Sequence, residues 1–180
     1  SYLAYTQIEK LAERCGAKLV WKPFLLGGVF KAVGNQSPAM IPAKGAWLFG
    51  DLALWAKRYG VKLAMNPHFP VNTLHLMRGA TWALAHGRHK AFADAAFSAM
   101  WAEAKNMGDP GVIGAVLSAA GFDPAEVMAG MNDATVKDAL KAVTEEAIAR
   151  GAFGAPTTFV GKEMFWGQDR LDFVEEALKR

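Results

Sequence analysis

The sequence predicts an α/β fold in which a small unit of strands and helices carries a large all-helical insertion. Helix-capping residues, and not hairpin turns, bracket each apolar segment from about residue 43 to about residue 150. A proline-led hairpin follows at about 157–166. One helix and one short extended segment precede the helical block. The predicted strands therefore lie near the two ends of the chain, with helices between them.

The first element is a predicted helix over about residues 2–15. Leu3, Ile8 and Leu11 follow a helical period, and Gly16 is a typical C-terminal signal. The tripeptide Leu-Val-Trp at 19–21 then predicts a short strand.

Capping signals predict each helix of the central block. These helices are expected at about 43–59, 73–86, 89–105, 110–120, 124–130 and, as a longer helix, 134–150. The clearest start is Asp123-Pro124-Ala-Glu126, a capping box with proline at the first helical position. Large apolar side chains such as Trp47, Trp82 and Met100 are expected in the core of this block. Periodicity leaves open that some of them line an apolar pocket.

The hairpin and the last helix form a unit that can hold a small peptide. Pro156 lacks a backbone N–H, so it begins the hairpin and does not sit within a central ladder. Ala155 is held extended, so its N–H and C=O can pair with another extended chain. A two-residue turn is expected at Gly161-Lys162. Exposed N–H groups and an acidic side chain meet at 168–169, where the last helix opens.

One short strand and a hairpin give only three strands. A strand preceding Ser1 would complete a β-α-β unit and a four-stranded sheet, which is the thioredoxin fold. The first strand is thus expected to lie outside this chain. The predicted domains are a thioredoxin-like domain at 1–36 and 131–180, and a helical insertion domain at 37–130.

Composition and charge exclude several functions. The 180 residues are 52% hydrophobic, enough for a sizeable core, and the net charge of +3 is spread along the chain. Without a basic stripe interleaved with aromatics, no nucleic-acid partner is expected, and no apolar run reaches the roughly 20 residues of a membrane span. The single cysteine, Cys15, and the lack of a leader favour a cytoplasmic protein. His86 and His89 have no third ligand, so no metal is expected.

Five separated blocks of the sequence carry a resemblance to a known family. They are Ser1-Tyr-Leu-Ala-Tyr, Leu25-Leu-Gly-Gly-Val-Phe-Lys, Gly34-Asn-Gln-Ser-Pro-Ala-Met-Ile-Pro-Ala-Lys-Gly, Phe69-Pro-Val-Asn-Thr, and Gly154-Ala-Pro-Thr through Gly167-Gln-Asp-Arg-Leu. In these blocks the chain resembles the 2-hydroxychromene-2-carboxylate isomerases and their relatives, the kappa-class glutathione transferases. Both belong to the wider DsbA-like thioredoxin group. The resemblance runs nearly the full length and implies a glutathione site.

The resemblance assigns glutathione to residues around the hairpin. It implies that Ala155 and Pro156 form a cis-proline corner whose Ala155 backbone binds the cysteinyl part of glutathione. The alternative is a proline that merely starts an edge strand. Gln168 and Asp169 match the pair that holds the γ-glutamyl end, with Asp169 facing the α-ammonium; the alternative is ordinary helix capping. Asn35 matches an asparagine near the thiol, with a simple turn residue as the alternative.

The substrate site is expected to include Lys44 and Asn72. Lys44 lies near a helix start, where a cation opposes the helix dipole, which suggests a bound carboxylate; a solvated lysine is an equal alternative. Asn72 is better explained as a helix cap than as a pocket residue. The family's activating serine would lie three positions before Ser1. Ser1 is therefore expected to be a helix-start residue, and the catalytic residue is unknown.

The resemblance implies a glutathione-dependent isomerase that interconverts 2-hydroxychromene-2-carboxylate and trans-o-hydroxybenzylidenepyruvate in naphthalene-type aromatic catabolism. Its partners would be glutathione and a small aromatic carboxylate, and it would form a homodimer. Two alternatives stay open. One is a kappa-type transferase that conjugates glutathione to small electrophiles, and the other is a non-catalytic DsbA-like binding protein.

Overall fold

The computed structural model describes all 180 residues, Ser1–Arg180. The chain is mostly helical and contains one small antiparallel sheet. The elements are α1 (Tyr2–Arg14), α2 (Leu26–Val33), α3 (Pro42–Tyr59), α4 (Leu74–Ala85), α5 (His89–Trp101), α6 (Pro110–Ala119), α7 (Pro124–Asn132), α8 (Ala134–Ala149), β1 (Thr157–Val160), β2 (Glu163–Trp166) and α9 (Leu171–Leu178). Short 3₁₀ turns lie at Pro38–Met40 and Gln168–Arg170.

The predicted helices and the hairpin are confirmed, with helix ends displaced by a few residues. In the hairpin, Val160 pairs with Glu163, which leaves the expected two-residue turn. The backbone φ is +56° at Gly161 and is not positive at Lys162. This is the pattern of a type II′ turn, which glycine favours at the first central position.

One local prediction was wrong, and one helix was not predicted. Residues 17–25 form no strand, because an extended segment joins a sheet only through a hydrogen-bonded ladder and β1 and β2 pair only with each other. Helix α2 was not predicted, since Gly27 and Gly28 are poor helix formers. Burial offsets that weak propensity, because Val29 of this helix is completely buried.

The chain divides into two compact units, each described by itself. The terminal unit comprises Ser1–Val20, Leu26–Val61 and Glu146–Arg180, and the helical unit comprises Trp21–Leu25 and Lys62–Glu145. This division assigns α3 to the terminal unit, although the expected insertion began at residue 37. The predicted domain boundaries stay a prediction.

In the terminal unit, α1 buries one face against α3 and α9. Leu3, Ile8 and Leu11 supply this buried face at the helical spacing read from the sequence. An ion pair between Arg14 of α1 and Glu175 of α9 joins the two helices. Hydrogen bonding to Arg14 lowers the pKa of Glu175 from its ordinary 4.5 to about 2.

The helical unit has its own apolar core. Its members are Leu76, Ala80, Trp82, Ala83, Phe92, Ala99, Met100, Met107, Ile113, Val116, Leu117, Phe122, Val127, Met131 and Val136. Helices α4 and α7 approach closely where a Cβ added to Gly130 would lie 2.1 Å from Trp82 Cδ1. None of the helices has the length and apolar character needed to cross a membrane.

The predicted core position is confirmed for Trp82 and Met100 and is wrong for Trp47. Trp82 is 4% exposed and Met100 is 6% exposed, whereas Trp47 is 69% exposed and belongs to the terminal unit. A helical period shows which residues share a face, but it does not show whether anything covers that face.

Candidate functional site

The Ala155-Pro156 peptide bond is cis, as the resemblance implied. Ala155 is half-buried, and it precedes the hairpin ladder, which begins at Thr157. Its backbone N–H and C=O make no hydrogen bond within the chain. Both groups are therefore available to pair with the backbone of an extended peptide. We call Phe153–Pro156 the peptide corner.

The peptide corner lies directly beside the turn that opens the last helix. The Gly167 N–H donates to the Pro156 carbonyl oxygen at 3.0 Å, and Trp166 pairs with Thr157 across the hairpin. The backbone that carries Gln168 and Asp169 is therefore within one hydrogen bond of the corner. The two regions assigned to glutathione from the sequence meet at the same end of the hairpin.

The carboxylate of Asp169 folds back over Gly167. The φ of Gly167 is +109°, a backbone conformation that favours glycine, and a Cβ there would lie 2.3 Å from Asp169 Oδ1. The Asp169 side chain is 39% exposed, and its ion partner, Arg170, is 3.7 Å away. Asp169 therefore presents a negative charge near the N–H groups that begin the 3₁₀ turn.

Tyr59 supports this turn from α3. Its hydroxyl donates to the Gln168 carbonyl oxygen at 3.2 Å. Burial raises the pKa of the Tyr59 phenol, with a smaller contribution from the charge of Asp172. The phenol thus remains a protonated donor at neutral pH.

Asn35 lies at the other side of the corner and binds its backbone. The side-chain Nδ2 donates to the Phe153 carbonyl oxygen at 2.8 Å, and Oδ1 accepts from the Gln36 N–H at 2.8 Å. A carboxamide has two N–H donors, so one stays available for a ligand. Asn35 therefore fixes the chain two residues before Ala155.

A cleft of about 390 Å³ adjoins the corner through the side chain of Trp166. Lys44 lies in the first turn of α3, which has no acidic residue and receives no side-chain cap from Ile41. The uncapped N–H groups and the cation would together favour a bound anion. Exposed indoles of Trp47 and Trp166 supply apolar walls. The lining residues are Pro38, Ala43, Lys44, Trp47, Leu48 and Trp166.

Ser1 is confirmed as the N-cap of α1, whereas the N-cap of α4 is Thr73 and Asn72 lies one residue before it. Asn72 belongs to the helical unit, and its Oδ1 accepts from the Leu74 N–H at 3.0 Å at the start of α4. The Ser1 carbonyl oxygen accepts from the Tyr5 N–H at 2.8 Å in α1. A role of Asn72 toward substrate stays a prediction. No three His, Cys, Asp or Glu side chains gather into a metal-binding group.

Sequence reasoning missed Tyr59, Phe153 and Trp166 as members of this site. Trp166 falls inside a block that carries the resemblance, so its position was a usable signal. Tyr59 has no such signal, because its partner is a backbone oxygen 109 residues further along the chain.

The groups present fit a zwitterionic tripeptide such as glutathione. An open backbone edge matches an extended peptide, a carboxylate matches an ammonium, and the N–H groups of a helix start match a carboxylate. Together these groups form a corner whose donors, acceptors and charges are complementary to such a peptide.

The chain belongs to the DsbA-like thioredoxin family, since the family model of the DSBA-like thioredoxin domain matches residues 1–179. A 2-hydroxychromene-2-carboxylate isomerase of Pseudomonas putida is 30% identical to it over 182 residues, which cover 100% of this chain and 89% of that relative. Glutathione S-transferase kappa 1 of Rattus norvegicus is 26% identical, over 99% of this chain and 85% of that relative.

Solved structures agree with this assignment. A 2-hydroxychromene-2-carboxylate isomerase structure superposes with a TM-score of 0.88 at 29% identity, covering 99% of this chain and 88% of the other. A probable DsbA oxidoreductase of Streptomyces coelicolor superposes with a TM-score of 0.72 at 22% identity, which supports the fold alone. The relatives thus carry the names of two kinds of enzyme, an isomerase and a glutathione transferase.

Proposed function

We propose that this chain is a glutathione-dependent isomerase that interconverts 2-hydroxychromene-2-carboxylate and trans-o-hydroxybenzylidenepyruvate. The observation that carries the proposal is the unpaired backbone of Ala155 next to the helix start that bears Asp169. The isomerase of Pseudomonas putida, at 30% identity over the full chain, supports the reaction.

The backbone of Ala155 holds the cysteinyl residue of the tripeptide in this proposal. The Ala155 N–H donates to a peptide carbonyl, and its C=O accepts from a peptide N–H. Such main-chain pairing fixes an extended peptide without regard to its side chains, so additional contacts must provide the specificity.

The specificity for a γ-glutamyl end comes from Gln168 and Asp169. The Asp169 carboxylate accepts hydrogen bonds from the α-ammonium, and the N–H groups at the start of the turn hold the α-carboxylate. An ordinary α-linked peptide would lack one or both of these charged groups there. The N–H of Asn35 that the chain leaves unused faces the same ligand as a further donor.

When bound, glutathione supplies a thiolate that can add reversibly to the conjugated system of the substrate. The chain's residues hold the second reactant. Lys44 and the first-turn N–H groups of α3 bind the carboxylate, while the indoles of Trp47 and Trp166 pack against the aromatic ring. Holding both reactants in adjoining sites replaces a bimolecular encounter, which is a large source of rate enhancement.

The experiment that tests the proposal follows both substrate and glutathione in the full-length protein. The protein is expected to convert the chromene carboxylate, as measured by ultraviolet absorbance. Mass spectrometry is expected to show that all glutathione remains unchanged. A stable thioether product would instead identify a kappa-type transferase, the activity named for the Rattus norvegicus relative. Calorimetry that detects no glutathione binding would contradict both enzymes and favour a binding protein. The expected homodimer and cytoplasmic location stay predictions.

A further inference from the structure

We infer that Trp166 is a positioning residue for the peptide corner, an inference that rests on the proposed glutathione site. Trp166 is the last residue of β2 and is 47% exposed, so its indole is not a core side chain. Exposure alone indicates no role, since exposed apolar side chains are common on protein surfaces. The role is inferred from the contacts of this side chain.

The indole lies against the backbone of Gly154 with no space between them. A Cβ added to Gly154 would lie 2.4 Å from Trp166 Nε1 and 3.1 Å from Trp166 Cε2. The φ of Gly154 is not in the left-handed region, so the backbone conformation does not call for glycine here, but a Cβ would force the indole to move. The ring centroid of Trp166 is also 5.1 Å from that of Phe153.

These contacts control the peptide group whose N–H belongs to Ala155. That peptide group joins Gly154 to Ala155, and its carbonyl oxygen accepts from Thr157 Oγ1 at 2.8 Å. The indole covers the Gly154 end of the same peptide plane. Thr157 and Trp166 therefore set the direction in which the Ala155 N–H points.

A preset direction lowers the entropic cost of binding, because the donor does not have to be ordered by the ligand. Asn35 holds the corner from the other side through the Phe153 carbonyl oxygen. Trp166 also lines the cleft that contains Lys44. Trp166 is thus the shared wall of the peptide corner and the cleft.

The test measures the dissociation constant of glutathione by calorimetry in the full-length protein, in four variants of the corner and in one control variant. Trp166→Ala and Gly154→Ala are each expected to weaken binding on the order of tenfold. The double variant should bind no more weakly than Trp166→Ala, since removing the indole leaves room for the new methyl group. Trp166→Phe should recover part of the affinity because it restores a ring over the corner.

If Trp166 served only to stabilise the fold, its removal would not cancel the effect of Gly154→Ala, and Trp166→Phe would not restore the affinity for glutathione. Gly114→Ala is the matched control, because a Cβ there meets nothing within 4 Å, and its glutathione affinity should equal that of the wild type. Thermal melting checks that each variant folds; should Trp166→Ala fail to fold, Gly154→Ala and Trp166→Phe carry the test.

Three results would overturn the inference. Unchanged affinity in Trp166→Ala, with the wild type binding glutathione, contradicts the positioning role and leaves the proposed function intact. Additive losses in the double variant show that Gly154 acts independently of the indole. A wild type that binds no glutathione contradicts the proposed function itself, and the inference fails with it.

Discussion

Replacing Asp169 by alanine should weaken glutathione binding by removing the group proposed to face the α-ammonium. The carboxylate is well placed for this because it folds over Gly167 at the edge of the corner. Alanine removes the charge and keeps the backbone N–H of residue 169. Any change in affinity therefore reports the side chain alone.

The exposure of the carboxylate limits the size of the effect. Hydrogen bonds to charged groups contribute about 1.5 to 3 kcal/mol, whereas exposed ion pairs contribute about 0.2 to 1 kcal/mol. Asp169 is 39% exposed and already has Arg170 at 3.7 Å. We expect a loss between the two ranges, about 1 to 1.5 kcal/mol, which is about a 5- to 13-fold increase in the dissociation constant.

The sharpest assay pairs this variant with a ligand that lacks the ammonium. Glutaryl-cysteinyl-glycine is glutathione without its α-amino group. The wild type should bind this analogue about 5- to 13-fold more weakly than glutathione, and Asp169→Ala should bind the two ligands with similar affinity. Titration calorimetry at low ionic strength measures all four constants, and added salt should reduce the difference.

Asp138→Ala is the matched control, because Asp138 is an exposed aspartate of α8 in the helical unit. It removes the same charge and should leave both affinities unchanged. Equal losses in the Asp138 and Asp169 variants would refute the contact and indicate a general effect of net charge. The contact would also be refuted if Asp169→Ala still preferred glutathione over glutaryl-cysteinyl-glycine as strongly as the wild type does.

Lys44→Met should raise the KM for the chromene carboxylate about 2- to 5-fold, because it removes an exposed cation from the cleft. Lys57→Met, at the other end of α3, should leave the KM unchanged. Equal effects of the two substitutions on the KM in steady-state assays would exclude a contact between Lys44 and the carboxylate. Gly130→Ala should destabilise the protein by about 1 to 3 kcal/mol because its methyl meets a buried indole. Gly114→Ala, in an open helical position, should be neutral or stabilise the protein by up to about 1 kcal/mol. Equal free energies of unfolding of the Gly130 and Gly114 variants, measured with denaturant, would contradict the close contact between Gly130 and Trp82. The lowered pKa of Glu175 means that the stability it contributes is complete above its ordinary pKa of 4.5 and is lost as the pH falls toward about 2. Glu175→Gln should therefore lower the melting temperature near neutral pH, and the difference should shrink as the pH falls from 4.5 toward about 2. A difference that stays constant over this range would contradict the ion pair with α1.

Features fixed by local backbone chemistry were predicted well from the sequence. The hairpin follows from the start signal of Pro156 and the turn preference of Gly161, and both are confirmed. The helix over Pro124–Asn132 follows from the start signal at Asp123-Pro124, and the Asp123 side chain accepts from the Ala125 N–H. The cis bond before Pro156 came from the family resemblance and not from local propensity.

Features that depend on distant partners were not predictable in this way. The segment at 19–21 has the composition of a strand but no ladder partner. Trp47 has the spacing of a core residue, yet nothing in the chain covers its face. The contact between Trp166 and Gly154 depends on how the chain enters the hairpin, which neither periodicity nor capping encodes.

Glutathione binding at the peptide corner is measured most directly by titrating the isotope-labelled protein with glutathione and following its amide signals by nuclear magnetic resonance. We expect saturable shifts of the Ala155 and Gln168 amide signals with a common dissociation constant, and no shift of the Asp138 amide. Saturation with these two signals unmoved, or with shifts confined to other regions, would contradict the peptide corner as the glutathione site.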